Sequence, residues 1–98
     1  MSPVFDPEIG RLEGALGKAA QIQEIISQNI ANASTPGYTA LKFDDVLGKA
    51  VERMDKPKVT LEDEMAQLAK NSIEYTAYSK LLISKLSAIR TVATQGRK

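Results

Sequence analysis

Apolar residues recur along this chain in two long runs of three- and four-residue steps, divided by a stretch that keeps no period. The first run is Ile9, Leu12, Leu16, Ala19, Ile26, Ile30 and Ala33, with Gln23 at one step and Ile22 and Ile25 widening the stripe. It predicts a helix over residues 7–33. The second run is Leu61, Met65, Leu68, Ser72, Tyr75, Ser79, Leu82, Leu86, Ile89 and Ala93, and it predicts a helix over 60–95, about 50 Å long. Thr60 with Asp63 three residues on has the form of a capping box, and Glu62, Asp63 and Glu64 place negative charge in the first turn. Lys85, Arg90 and Arg97 lie toward the other end, matching the helix dipole, and Gly96 is a natural stop. The fold class this predicts is all-α. Two long helices pair as an antiparallel coiled-coil hairpin in one domain, 1–98, joined by a short irregular segment over 34–59.

Between the helices, Asn29 and Asn32 are poor interior residues because their amides compete for backbone hydrogen bonds. Pro36 forbids continuation and pushes Thr35 toward an extended conformation. Thr35-Pro36-Gly37-Tyr38 fits a type II turn, with Gly37 supplying the positive φ. Tyr38 to Phe43 then has strand-like alternation, with Thr39, Leu41 and Phe43 on one side, and equally suits an extended linker. Asp44-Asp45 could cap a short helix over 45–54 through Val46, Leu47, Ala50, Val51 and Met54, although Gly48 opposes it. Asp55 to Lys58, with Pro57, reads as a linker.

The second helix also carries an additional apolar line, Ala69, Ile73, Ala77, Leu81, Ile83 and Val92. One shorter partner helix cannot cover so broad a face, and exposed apolar patches of this length are rare on soluble monomers. The pattern therefore predicts assembly. Gly10, Gly14 and Gly17 interrupt the first helix at about 1 kcal/mol each relative to Ala. Either they are defects in a weakly ordered helix, or they let neighbouring helices approach closely. Ala15, Ala19 and Ala20 extend the small surface and favour the second reading.

Composition removes most chemistry. There is no Cys and no His among 98 residues, hence no thiolate metal site and no imidazole base. Asp44-Asp45 and Glu62-Asp63-Glu64 are the only acidic clusters, and adjacent helical residues point about 100° apart. No phosphate-binding glycine pattern occurs. A net charge of +1 gives no reason to expect nucleic acid, and no apolar run is long enough to span a membrane. The first twenty residues lack the form of a cleaved secretory signal. No enzyme, cofactor, catalytic residue or metal site is expected.

Asn29-Ile30-Ala31-Asn32, two further residues and then Thr35-Pro36-Gly37-Tyr38 closely resemble the signature of bacterial flagellar axial proteins. Val59 to Ala66, continuing to Ser87-Ala88-Ile89-Arg90-Thr91, resembles the ending of proximal-rod subunits in the flagellar basal-body rod family. The two regions cover most of the chain. The resemblance implies a structural rod subunit whose terminal helices join those of neighbours into an axial tube. It further implies a periplasmic place in the basal body, reached through the flagellar export apparatus without a cleaved signal peptide. The partners implied are other rod proteins, basal-body ring and adaptor proteins, further copies of the chain and the export apparatus.

The turn residues are expected to shape the junction. Leu12, Leu16, Ile26, Ile30, Leu61, Met65, Leu68, Tyr75, Leu82, Leu86 and Ile89 are expected to form the assembly seam. Phe5 and Ile9 have the spacing of a short export motif of rod and hook subunits; a plain hydrophobic contact at a helix start accounts for them more simply. Between Phe43 and Val59 the chain is shorter than in many members of this family. The alternative, drawn from the residues alone, is a small helical adaptor that binds a partner helix.

Overall fold

A computed structural model describes residues 6–95. The first helix, α1, spans Pro7–Ala31. Asp6 caps it with extended backbone (φ −66°, ψ 119°), its carboxylate accepting the Glu8 N–H at 2.8 Å, and Pro7 fills the first helical position, where a missing N–H costs nothing. The helix stops two residues before the expected Ala33. Asn32 sends both its backbone N–H and its side-chain amide to the Gln28 carbonyl, at 3.0 and 2.9 Å, which closes the last turn. Thr35 N–H then bonds to Asn32 O, and Tyr38 N–H to Thr35 O. With Gly37 at φ +78°, the second of these bonds closes the expected type II turn.

The middle segment is more regular than its sequence suggests. Strands β1 (Leu41–Asp44) and β2 (Lys49–Glu52) pair antiparallel, with Leu41 opposite Glu52 and Asp44 opposite Lys49. This corrects the short helix expected over 45–54. Asp44 does cap, but what it caps is a turn: its Oδ1 accepts the N–H groups of Val46 and Leu47 at 2.9 and 2.8 Å, and its backbone carbonyl accepts Gly48 N–H. Gly48, at φ +65°, sends the chain back as β2. At the hairpin base Ala40 is fully buried and bonded in both directions, donating to Pro57 O and accepting from Arg53 N–H.

Helix α2 spans Leu61–Gln95, ten residues longer than α1. The helices pair antiparallel, and polar contacts fix their register: Asn29 meets Glu64, the Asn71 amide donates to the Ala19 carbonyl at 2.8 Å, and Lys85 meets Asp6 and Glu8. The expected pairing of two long helices is thus present, with a two-stranded sheet added between them. The molecule is a rod, 65 × 24 × 16 Å.

The seam on α2 differs from the apolar line read in the sequence. The residues of α2 at least half-buried are Asp63, Glu64, Leu68, Asn71, Glu74, Tyr78, Ser79, Leu82, Lys85 and Ile89. Leu68, Ser79, Leu82 and Ile89 are expected seam positions, but Glu64, Asn71 and Lys85 turn inward where Met65, Ser72 and Leu86 do not. A four-three step pattern can be laid on two adjacent faces of one helix, and apolar spacing selects the less polar of them. Glu64 Oε1, Asn71 and Lys85 find partners on α1, at its cap or in the middle segment, which offsets part of their desolvation. Met65 and Leu86 are left 52% and 46% exposed. On α1, Ala19, Ile25 and Ile26 are buried, and Ile22 rather than Gln23 turns inward.

Candidate assembly site

Asn29 organises the junction between the helices. Its side chain is 1% exposed and uses its full hydrogen-bonding capacity. The amide nitrogen donates to Leu41 O at 2.9 Å and Glu64 Oε1 at 3.3 Å. The amide oxygen accepts from Leu41 N–H at 2.9 Å and the Tyr38 hydroxyl at 2.7 Å. Because Asn29 exchanges two bonds with one backbone residue, its amide acts like an extra peptide unit beside the start of β1. One helical side chain thereby holds the turn, the first strand and the second helix.

Glu64 is the partner the sequence concealed. It stands in an acidic first turn, where charge is ordinarily solvated, yet its side chain is fully buried. Oε1 accepts from Asn29 and from Arg53 Nη2 at 3.0 Å, while Oε2 has no hydrogen-bond partner among the described residues. Arg53 is itself 11% exposed and also donates to the carbonyls of Lys56 and Lys58. A four-residue step back from Leu68 lands on Glu64; that is the one hint the sequence carries, and nothing in it singles out Arg53. Burial pushes the Tyr38 hydroxyl pKa up. The Glu64 charge adds to the rise and Arg53 opposes it.

The other motif residues lie around this knot. Asn32 accepts from the Thr35 hydroxyl at 3.2 Å on the surface. Ile30 is half-buried, whereas Ala31, Thr35, Pro36 and Gly37 are exposed. Asp63, expected to complete a capping box, turns its carboxylate to Lys56 Nζ at 2.6 Å; that bond holds its pKa below the usual value. Ile9 packs half-buried on α1, while Phe5 lies outside the described residues.

The expected seam residues divide into two groups. Leu12, Leu16, Ile26, Ile30, Leu68, Leu82 and Ile89 are buried or half-buried along the helix pair. Leu61, Met65, Tyr75 and Leu86 stay exposed, together with Ile73 (71%), Leu81, Ile83 (64%) and Val92. Two open depressions lie on this outer surface. One, of about 490 Å³, runs between the helices and is lined by Glu8, Arg11 and Leu12 of α1 and by Leu81, Ser84, Lys85 and Ala88 of α2. The other, of about 430 Å³, lies wholly on α2 along Ser72, Ile73, Thr76, Ala77 and Lys80. No helix among the described residues is long and apolar enough to cross a membrane.

Comparison with known proteins agrees with this geometry. The family described as "Flagella basal body rod protein" matches residues 12–39, from the second turn of α1 through Tyr38 to the residue after it. The "Flagellar basal body rod protein FlgB" of Bacillus subtilis (strain 168) is 28% identical over 127 aligned residues, covering 96% of this chain and 98% of that protein. The alignment is longer than the chain, so that relative carries residues with no counterpart here. By these two matches the chain is similar to flagellar basal body rod proteins, FlgB among them.

Proposed function

We propose that this chain builds the proximal part of the flagellar rod, assembling with rod neighbours and with its own copies through α1 and α2 into the axial tube. The observation that carries this reading is the row of exposed aliphatic residues on α2, Met65, Ile73, Ile83 and Val92, left over after α1 has been accommodated. A rod 65 Å long with so small a core gains most by lodging among other helices. The knot at Asn29, Tyr38 and Glu64 sets how the hairpin leaves the helix pair, so the outer faces of α1 and α2 keep a fixed relation to it. On this reading the ring and adaptor proteins of the basal body contact the same rod, and the chain travels through the flagellar export apparatus. The turn from Asn29 to Tyr38 and the exposed seam residues are its assembly elements.

The test is deletion of the gene in its own flagellated host. Loss of motility, with basal bodies arrested at the inner-membrane ring and restored by the wild-type gene, is the expected result. Complete basal bodies in the deletion strain would sink the reading and leave the small helical adaptor in its place.

A further inference from the structure

The groove of about 490 Å³ between the helices lies where the chain enters α1. Leu81, Ser84, Lys85 and Ala88 stand at three- and four-residue steps, so they share one face of α2, and Glu8, Arg11 and Leu12 line the groove from α1. Leu81 is left 56% exposed. The Lys85 ammonium bonds to Asp6 at 3.2 Å and to Glu8 at 2.7 Å, which ties the helix cap to a residue of the groove.

Met1-Ser2-Pro3-Val4-Phe5 precede that cap and lie outside the described residues. Three of the five are apolar. The Phe5 Cα is one peptide step, about 3.8 Å, from the Asp6 Cα, and five extended residues reach about 17 Å. From Leu81 to Ala88 the groove runs about 10 Å along α2, within that reach.

Phe5 also lacks the local partner that its position ordinarily supplies. An apolar residue just before a helix cap packs on the fourth helical residue. Counting from Pro7, that residue is Gly10, which has no side chain to offer. Burial of the ring must therefore come from another element, and the groove beside Lys85 presents Leu12, Leu81 and Ala88 for it.

We propose that this groove seats the phenyl ring of Phe5 from the same chain, so that the N-terminal residues form a strap across the helix pair where α1 begins. The ion pairs of Lys85 with Asp6 and Glu8 hold the root of the strap, and Leu81 gains the cover it lacks. Seated there, Phe5 is withheld from any binder of an extended N-terminus for as long as α1 and α2 stay paired. The contact lies within one chain and does not draw on the rod reading.

The sequence contains no Trp, so Phe5→Trp places a single fluorescent reporter in the full chain. In dilute native protein its emission should be blue-shifted and shielded from acrylamide, and both properties should be lost in urea. Leu81→Asp, with unchanged helical circular dichroism, should expose the reporter without unfolding the chain. In urea unfolding, Phe5→Ala should lower the folding equilibrium constant about tenfold. Phe5→Ala and Leu81→Ala should be coupled by about threefold or more, whereas Phe5→Ala and Ile73→Ala, in the separate depression on α2, should be additive. A solvent-exposed native emission overturns the seat, and so do additive losses for Phe5→Ala and Leu81→Ala. Shielding that disappears on dilution assigns the groove to Phe5 of another copy and overturns it equally.

Discussion

The two ends of the helix pair are fastened by different chemistry. Where α1 finishes and α2 begins, Asn29, Tyr38, Glu64 and Arg53 form a buried network that also grips the Leu41 backbone. Where α1 begins, Lys85 reaches Asp6 and Glu8 in a partly exposed cluster, and α2 runs on from there to Gln95. Water competes for the second set and is excluded from the first, so equal numbers of contacts do not stiffen the two ends equally. The knotted end should behave as one cooperative unit with the hairpin. The other end should fray, which leaves the tail of α2 able to take a neighbour.

The sharpest way to break this contrast is at Arg53. Arg53→Leu removes the one cation paired with Glu64 among the described residues and leaves a fully buried carboxylate with Asn29, 3.3 Å away. Removing one partner of a buried pair costs about 3–5 kcal/mol, a large part of the stability of a domain this small. Urea unfolding of the variant should show a loss of that size. A loss below about 1 kcal/mol would mean that solvent reaches Glu64 and that the two ends are alike.

Asn29→Ala comes next. It strands the Tyr38 hydroxyl and both backbone groups of Leu41, each part-buried. At about 1–3 kcal/mol for a stranded buried group, less where water re-enters, the expected loss is about 2–3 kcal/mol. It should appear together with faster amide exchange at Leu41 N–H. Asn29→Asp sharpens the result, because it sets a second acceptor against Glu64 Oε1, and it should be worse than alanine at neutral pH.

Glycines provide an internal control, since the same substitution should have opposite signs at two sites. Gly37, at φ +78°, has open space around its absent Cβ, so Gly37→Ala meets only the backbone strain of the left-handed region, about 1 kcal/mol. Gly14 also has nothing within 4 Å but is helical, so Gly14→Ala should stabilise the monomer by about 0.5–1 kcal/mol. Thermal melts of both variants decide this. If Gly14→Ala stabilises the monomer while weakening self-association, the glycine serves the assembly and not the fold.

These residues also show what the sequence could disclose. The spacing of Ile9, Leu12, Leu16 and Ala19 specified α1, and the turn chemistry of Pro36 and Gly37 specified where the chain turned, because both act over a few neighbouring residues. Glu64 and Arg53 were not legible: eleven residues separate them, and an acidic residue in a first helical turn reads as dipole complement whether solvated or buried. The hairpin was half-legible. Its β1 alternation was visible, but Asp44-Asp45 served two geometries equally well until Gly48 adopted a positive φ. Polar residues at alternate seam steps hid the true face of α2, since an apolar period cannot distinguish a side packed by hydrogen bonds from one left to solvent.

The smallest effect concerns the loose end, and it is read by pH. The Glu8 N–H, with Lys85 adding to it, holds the Asp6 carboxyl below its usual range, and Glu8 and then Asp6 raise the Lys85 ammonium. For Asp6 the folded pKa is depressed, so its contribution is complete above the ordinary aspartate value of about 3.9 and fades as pH falls through the folded value. For Lys85 the folded pKa is raised, so its contribution is complete below about 10.4 and fades at higher pH. Both groups are solvent-screened, and added salt should reproduce part of the acid effect at neutral pH. Amide exchange, corrected for intrinsic rates, should therefore show protection falling around Gly10–Leu12 as pH drops below about 4 while Leu41 N–H keeps its own. Parallel loss at both places would mean that the knot and the ion-pair cluster open as one unit. The difference between the ends would then lie in their hydrogen-bond count and not in their access to water.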